Sequence, residues 1–164
     1  MDRHRRSIRL REFDYAGAGA YFVTLCTVQR ACLFGMIVGK EMHPNSLGLL
    51  VKAAWRETPL LRTNITLDAF VVMPNHLHGL IIINNEATQE GIGIRLRSPA
   101  QTLGAAVRGF KAATTRQAGV SLWQRNYYEH IIRDAPSLDR IRHYIADNPA
   151  AWDHDGENPF LPPH

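Results

Sequence analysis

Two apolar segments separated by one turn residue, Asn75, constrain the fold of this chain more than any other feature. Residues 65–74 and residues 76–83 are rich in β-branched and aromatic side chains, which is typical of β-strands. Because so little chain separates them, we expect the two strands to pair as a hairpin. Residues 21–28 have the same character and predict another strand.

Helical segments alternate with these strands. Ser46 and Thr102 each precede apolar residues at helical spacing, so each is expected to cap a helix. Residues 120–134 are strand-like at their ends with a loop between, and Pro136 opens a last helix that Pro149 stops. This order predicts an α+β fold, a ferredoxin-like or RRM-like βαββαβ antiparallel sheet with an extra C-terminal helix.

The size and composition of the chain favour a soluble globular protein. The 164 residues are 45% hydrophobic and 21% charged. We expect a single domain over residues 1–164, with a basic N-terminal arm at 1–20, a core at 21–149 and a loose acidic tail at 150–164. No apolar run is long enough to cross a membrane, and the basic N-terminus lacks the apolar stretch of a signal peptide. We therefore expect no membrane partner and a cytoplasmic location.

Basic residues are concentrated in two parts of the chain. Five of the first eleven residues are arginine, and residues 95–142 carry nine basic and three acidic side chains. Most of the 19 basic residues are arginine, whose planar guanidinium matches phosphate oxygens and stacks on bases. This distribution favours a nucleic-acid partner, and a set of solvated surface charges is the alternative.

His76 and His78 are the most specific candidates for chemistry. Residues i and i+2 of a strand point to the same face, with backbones about 6.5–7 Å apart. Two imidazoles at this spacing can bind one divalent cation, while Leu77 points into the core. The alternative is a pair of surface histidines, although the flanking strand is apolar. Two histidines do not complete a metal site. The residues considered to complete it are His130, His143, Glu129 and Asp147.

Tyr144 and Asn148 stand one turn apart on the predicted last helix and so share one face. They flank the stripe of that helix that is expected to be buried. The stripe consists of Leu138, Ile141 and Ile145. At such a boundary a tyrosine can bury its ring and present its hydroxyl, and an amide oxygen one turn later can reach the same ion. The alternatives are that Tyr144 is a packing residue and that Asn148 only terminates the helix.

Two motifs, PNHLHG at residues 74–79 and Tyr-x-x-x-Asn-Pro at residues 144–149, are specific when they occur together. With them the chain resembles the single-tyrosine transposases of the His-hydrophobe-His class, most closely their REP-associated tyrosine transposase branch. Matching stretches cover most of residues 5–149. The resemblance implies a ferredoxin-like fold and cleavage and rejoining of single-stranded DNA at hairpin-containing sequences through a 5′-phosphotyrosine intermediate.

The resemblance also implies roles for particular residues. His76 and His78 correspond to metal ligands, Tyr144 to the nucleophile and Asn148 to a third ligand; nothing carries over to the tail after residue 149. The implied cofactor is a divalent metal, Mg²⁺ or Mn²⁺. The implied partner is single-stranded or hairpin DNA, bound by a monomer or by a homodimer that exchanges the tyrosine helix.

The residues expected to contact DNA are basic and aromatic. The basic residues are Arg3, Arg5, Arg6, Arg9, Arg108, Lys111, Arg116 and Arg125. The aromatic residues that would stack on bases are Trp123, Tyr127 and Tyr128, and for Trp123 core packing is the favoured alternative. Tyr127 and Tyr128 are also rival nucleophiles. Two other functions stay open: a non-catalytic DNA-hairpin-binding protein on the same fold, and a small-substrate metallohydrolase that uses His76, His78 and a carboxylate.

Overall fold

The computed structural model describes residues 19–84 and 102–161. In these ranges the elements, in chain order, are β1 (Gly19–Cys26), β2 (Gly35–Val38), β3 (Glu41–Pro44), α1 (Ser46–Leu61), β4 (Ile65–Met73), β5 (His76–Ile83), α2 (Leu103–Ala118), β6 (Tyr128–Ile132) and α3 (Ala135–Asp147). Short 3-10 turns lie at Val28–Arg30 and Trp152–His154. No helix in the described part of the chain is both long and apolar enough to span a membrane.

Four strands form one antiparallel sheet in the order β4-β5-β1-β6. The hairpin expected around Asn75 is present, since β4 and β5 pair with Met73 opposite His76. With helices α1 and α2 between the strands and α3 after them, this arrangement confirms the predicted ferredoxin-like α+β fold. Strands β2 and β3 form a separate two-stranded hairpin between β1 and α1.

Helices α1 and α2 cover one face of the sheet. The alternating side chains of β1, from Tyr21 to Leu25, and Leu77 of β5 are buried there with Trp55 of α1. Gly79 lies in the same layer, and no larger residue fits there because an added Cβ would be only 2.4 Å from Cζ2 of Trp55. The indole therefore packs directly on the β5 backbone, which fixes the strand that carries the two histidines.

Helix α3 covers part of the opposite face. Phe22, Leu80 and Ile132 of the sheet pack with Ile145, and the rest of the predicted stripe, Leu138 and Ile141, packs beside them. An ion pair fastens this helix to β4, since Nη2 of Arg142 lies 2.7 Å from Oδ2 of Asp68 and Nε lies 2.9 Å from Oδ1. The sheet thus separates two apolar layers, and α3 presents a fixed face to the end of β5.

Side chains cap the helices. Thr102 accepts a hydrogen bond from the backbone N–H of Ala105, as predicted for the start of α2. The cap of α1 is Asn45 rather than Ser46: its Oδ1 accepts from the backbone N–H of Gly48 at 2.9 Å. Either residue type suits this position, and the extended backbone of Asn45 makes it the cap.

The chain after α3 differs from the loose tail expected from its composition. Trp152 is 7% exposed and Asn158 is 8% exposed, so both are buried. Arg30 forms an ion pair with Glu157 at 3.2 Å, and Nδ2 of Asn75 donates to the carbonyl of Glu157 at 2.6 Å. One buried tryptophan and these polar contacts hold the described part of this segment against the end of the sheet.

Candidate metal and nucleophile site

His76 and His78 lie side by side at the start of β5, on the sheet face that α3 covers. Their ring centroids are 4.5 Å apart, and both residues are buried. Leu77 between them is fully buried in the opposite layer. The strand periodicity therefore sets the pair as the sequence predicts.

One nitrogen of each imidazole already has a partner. Nδ1 of His76 lies 2.8 Å from Oδ1 of Asn75, and Nδ1 of His78 lies 2.8 Å from Oγ1 of Thr24. Such contacts at the far side of the ring orient histidines that ligate metals. The Nε2 atoms are therefore the positions from which both rings can bind an ion.

Three buried atoms near the pair have no hydrogen-bond partner among the described residues: Nε2 of His76, Oδ1 of Asn148 and Oδ2 of Asp155. Oδ2 of Asp155 lies 3.7 Å from Nε2 of His76. His76, His78 and Asp155 each offer one ligand atom, and these atoms lie within 4.8 Å of one another. Buried polar atoms are rarely left unpaired, so this convergence fits a cation held by two imidazoles and two oxygens.

Asp155 is the member of this group that sequence reasoning missed. None of the four residues that the sequence offered joins this cluster: His130, His143 and Asp147 are exposed, and Glu129 is half-buried on β6. Asp155 follows the 3-10 turn that the buried Trp152 anchors. A lone tryptophan in a polar, acidic segment was the available signal that this segment returns to the core.

Tyr144 extends from α3 to the same place. Its hydroxyl oxygen lies 3.4 Å from Nε2 of His78, and the residue is 48% exposed. Its ring packs edge-on against Phe22, which stacks on His78. Asn148 caps the C-terminal end of α3 one turn later and is buried. The structure thus brings together the four residues that the two sequence motifs single out.

Burial controls the protonation of the site. It lowers the pKa of His78 to about 2, and the neighbouring His76 adds to this effect. Burial also lowers the pKa of His76, against the opposing influence of the Asp155 carboxylate. Both imidazoles are therefore neutral near pH 7, which is the form that binds metals. Burial, followed by the charge of Asp155, raises the pKa of Tyr144.

The basic residues expected to bind DNA are spread over the chain. Arg3, Arg5, Arg6 and Arg9 lie outside the described residues. Arg108 and Arg116 are exposed on α2, which packs on the sheet face opposite the histidines. Arg125 is exposed in the loop before β6. Of the described arginines, Arg108 and Arg116 therefore lie on the other side of the sheet from the histidine pair.

Lys111 and Trp123 have internal partners. Nζ of Lys111 donates to the backbone carbonyls of Gln124 and Asn126 at 2.8 and 3.3 Å. Trp123 is buried in the core, where its Nε1 donates to Oγ1 of Thr114 at 2.8 Å. The structure confirms core packing, the alternative that the sequence favours for Trp123. The buried indole ring has no open face on which a base could stack.

Tyr127 and Tyr128 differ in exposure. Tyr127 packs against the core, with Nζ of Lys111 5.5 Å from its ring centroid. Tyr128 is 58% exposed and pairs with Thr24, which in turn pairs with His78. Directly paired residues share a sheet face, so Tyr128 flanks the site on the edge strand.

Comparison with known proteins identifies the fold first. A solved structure of a REP-associated tyrosine transposase bound to a REP hairpin matches 92% of this chain and 73% of its own chain, with a TM-score of 0.61 and 21% identity. At that identity the match shows a common fold. No protein-family model matches the chain. An uncharacterized Haemophilus influenzae protein is 43% identical over 165 residues, 93% of this chain and 92% of its own length. The chain belongs to the same family as that protein.

Proposed function

We propose that this protein cleaves single-stranded DNA at hairpin-containing sequences and transfers the strand through a 5′-phosphotyrosine intermediate. The observation that carries the proposal is the 3.4 Å approach of the Tyr144 hydroxyl to Nε2 of His78, beside a cluster of unpaired metal-ligating atoms. The fold shared with a REP-associated tyrosine transposase supports the proposal. Stated more generally, the proposal is that the protein is a transposase-like DNA-processing enzyme.

The metal would be held by His76, His78 and Asn148, with Asp155 as a further ligand. Buried atoms of His76, Asn148 and Asp155 that have no hydrogen-bond partner in the described part of the chain, with Nε2 of His78 beside them, support this assignment. A divalent cation bound there, Mg²⁺ or Mn²⁺, would polarise the scissile phosphate and stabilise the charge that develops in the displacement.

Tyr144 would act as the nucleophile. Its hydroxyl oxygen attacks phosphorus, a Tyr–O–P bond forms, and the bond from phosphorus to the 3′ oxygen breaks. The phenol gives up its proton to water and the leaving 3′ oxygen takes one up from water, which leaves a free 3′-hydroxyl and no net change in protons. The 5′ end of the cut strand stays on the tyrosine. A second 3′-hydroxyl can then attack the phosphotyrosine, release the phenol and join a new strand, so the phosphodiester is conserved without ATP.

The described surface suggests how DNA would be bound. Tyr128, exposed beside the site, is the best placed of the aromatic candidates to stack on an unpaired base. The exposed arginines on α2 and in the loop before β6 would contact phosphates farther away, together with the N-terminal arginines. Lys111 and Trp123 would act indirectly, because both are engaged within the protein.

One chain can supply both Tyr144 and the two histidines, so the proposed site does not require a partner chain. The connection between β6 and α3 has only two residues, Arg133 and Asp134. Asp134 caps the N-terminus of α3, since its Oδ1 accepts a hydrogen bond from the backbone N–H of Ser137 at 2.7 Å. A homodimer that exchanges α3 would have to rebuild this connection. A cytoplasmic location is part of the same proposal.

The carboxylate of Asp155 favours a second candidate, a metallohydrolase of small substrates. Two histidines and one carboxylate are a ligand set that metal hydrolases use to activate water. The phenol beside the histidines favours strand transfer instead, because its hydroxyl, 3.4 Å from Nε2 of His78, is placed to attack a phosphate held at the same site.

Incubation with single-stranded hairpin oligonucleotides and Mg²⁺ or Mn²⁺, followed by a denaturing gel, separates these functions. Strand transfer predicts a covalent protein–DNA adduct that the metal chelator EDTA prevents. Hairpin binding without any adduct would instead identify a non-catalytic DNA-binding protein. Metal-dependent turnover of a small phosphoester, again without an adduct, would identify the hydrolase. Tyr144→Phe should abolish the adduct, and Tyr128→Phe serves as the matched control.

A further inference from the structure

Asn75, the turn residue between β4 and β5, makes more polar contacts than its position in a tight turn requires. The residue is 1% exposed. Its side-chain Nδ2 donates to the carbonyl of Arg30 at 3.1 Å and to the carbonyl of Glu157 at 2.6 Å. Its Oδ1 lies 2.8 Å from Nδ1 of His76. The amide therefore joins three segments that are far apart in sequence.

The two carbonyls fix the orientation of the amide. A carbonyl oxygen only accepts hydrogen bonds, so the group that faces Arg30 and Glu157 must be the NH₂. Rotation of the amide by half a turn would put Oδ1 against two other oxygens and leave all three unpaired. The backbone of Asn75 is held as well, because its carbonyl accepts from the backbone N–H of Thr27 at 2.9 Å.

A fixed amide in turn fixes the tautomer of His76. Oδ1 can only accept, so Nδ1 of His76 must carry the proton that it donates. In a neutral imidazole Nε2 then has the lone pair. The other tautomer would set two lone pairs 2.8 Å apart.

We propose that Asn75 is a positioning residue of the metal site with two effects: it sets His76 in the Nδ1–H tautomer, and it holds the segment that carries Asp155. The first effect aims the Nε2 lone pair at the ion. The second follows from the bond to Glu157, two residues after Asp155. The inference rests on the proposed metal site and does not depend on what the site does to DNA.

The test uses the full-length protein labelled with ¹⁵N in its histidine rings and kept free of metal by EDTA. Long-range ¹H–¹⁵N correlation spectra show which ring nitrogen is protonated, and the His76→Gln spectrum identifies the signals of His76. In the wild-type protein we expect a protonated Nδ1 and an unprotonated Nε2. A wild-type His76 that is protonated at Nε2 overturns the proposal without any need for a variant of Asn75.

Two variants of Asn75 separate the two effects. Asn75→Ala removes both and should mix the tautomers and weaken Mn²⁺ binding, measured by calorimetry, about 10–100-fold. Asn75→Asp keeps an acceptor for Nδ1 but loses both donors, so the tautomer should persist while Mn²⁺ binding weakens. Unchanged Mn²⁺ affinity in Asn75→Asp would overturn the second effect, and an unchanged tautomer in Asn75→Ala would overturn the first.

Asn158→Ala is the matched control. Asn158 is a buried asparagine that braces the same segment, since its Nδ2 donates to the carbonyl of Trp152 at 3.0 Å, and it has no contact with His76. This variant should lower thermal stability and leave the tautomer of His76 unchanged; a tautomer change here would show that Asn75 acts only through general packing. Because no readout involves DNA, a protein that fails to form an adduct can still confirm the role of Asn75.

Discussion

The hydroxyl oxygen of Tyr144 lies 3.4 Å from Nε2 of His78, although the two residues are 66 positions apart in the sequence. The hairpin β4–β5 carries the histidine, and α3 packs across the sheet with the tyrosine at the edge of its buried stripe. The proposed nucleophile and a proposed metal ligand are thus neighbours because two independent elements meet on one sheet face.

Removal of this hydroxyl should separate chemistry from binding. Tyr144→Phe should abolish the DNA adduct while hairpin affinity, measured by fluorescence anisotropy, changes less than about 3-fold, because one exposed group contributes little to a large polar interface. The matched control, Tyr128→Phe, removes a hydroxyl from the exposed tyrosine on β6 and should keep the adduct. An adduct of normal yield in Tyr144→Phe would remove Tyr144 from the mechanism.

Loss of one imidazole should cost metal affinity. His78→Gln removes a nitrogen of the proposed ligand set. Mn²⁺ affinity measured by calorimetry should then fall at least about 100-fold, since changes to groups that merely support ligands already cost about 10–100-fold. His130→Gln is the control, because His130 is exposed on the edge strand β6 and lies outside the cluster of metal-ligating atoms. Equal affinities for the two variants would contradict the assignment of His78.

Asp155 should have opposite effects on the metal-free and metal-bound protein. Its Oδ2 is buried without a hydrogen-bond partner, so Asp155→Asn should stabilise the metal-free protein by about 1 kcal/mol. The same change removes a charged ligand, so the rise in Tm that Mn²⁺ produces should shrink. Thermal melts in EDTA and in Mn²⁺ measure both, with the exposed Asp153→Asn as control. A variant whose Tm still rises with Mn²⁺ as in the wild type would show that Asp155 is not a ligand.

The sequence predicts the four motif residues of this site, but it does not predict the further residues that complete the site. Strand periodicity places His76 and His78 on one face, and helix periodicity places Tyr144 and Asn148 beside the apolar stripe of α3. Asp155 and the contacts of Asn75 depend on a segment that returns to the sheet through Trp152 and Glu157. Such contacts between distant segments leave no local pattern, because neither periodicity nor composition records which segments meet.

Contacts between distant segments also decide which basic residues are open to a partner. A count of positive charge treats Lys111 and Arg108 alike, and both occur on one helix. In the fold, Arg108 is exposed while Lys111 donates to two backbone carbonyls of the loop before β6. Burial there lowers the pKa of Lys111 to about 8, so the ammonium is still mostly protonated at pH 7, but it faces those carbonyls rather than an open surface.

The ion pair between Asp68 and Arg142 should make the attachment of α3 depend on pH. Hydrogen bonds from Arg142 hold the pKa of Asp68 below its ordinary value, so the stabilisation is complete above the carboxyl's unfolded pKa of about 3.9 and is lost as pH falls through the lower folded value. Because Arg142 is partly exposed and solvent screens the pair, Asp68→Asn should lower the free energy of unfolding by only about 0.5–1 kcal/mol at pH 7. Urea melts at pH 7 and pH 3 should show the difference from wild type shrinking at acid pH.

The control for this pair uses the other acid near Arg142. Asp139 is exposed and lies 3.1 Å from Nη1 of the same guanidinium, within one helix. Asp139→Asn should change stability by no more than about 0.5 kcal/mol at either pH. If the two substitutions lower the free energy of unfolding equally, the ion pair between α3 and β4 is not the way in which Asp68 stabilises the fold.

A site completed within one chain predicts that inactive variants cannot rescue each other. Tyr144→Phe keeps the histidines and His78→Gln keeps the tyrosine, so an exchange of α3 between chains would rebuild one complete site in a mixed dimer. We expect no DNA adduct after the two variants are mixed or refolded together. Recovered adduct would establish the helix-exchanged homodimer.

The attachment point of DNA tests the central claim most directly. Trypsin cuts after Arg125, Arg133 and Arg142, so Tyr144 lies in a peptide that begins at His143, apart from the peptide that contains Tyr127 and Tyr128. Mass spectrometry of the digested adduct should find the added nucleotide mass on the peptide with Tyr144. A nucleotide on the peptide of Tyr127 and Tyr128, or on any other, would contradict the account.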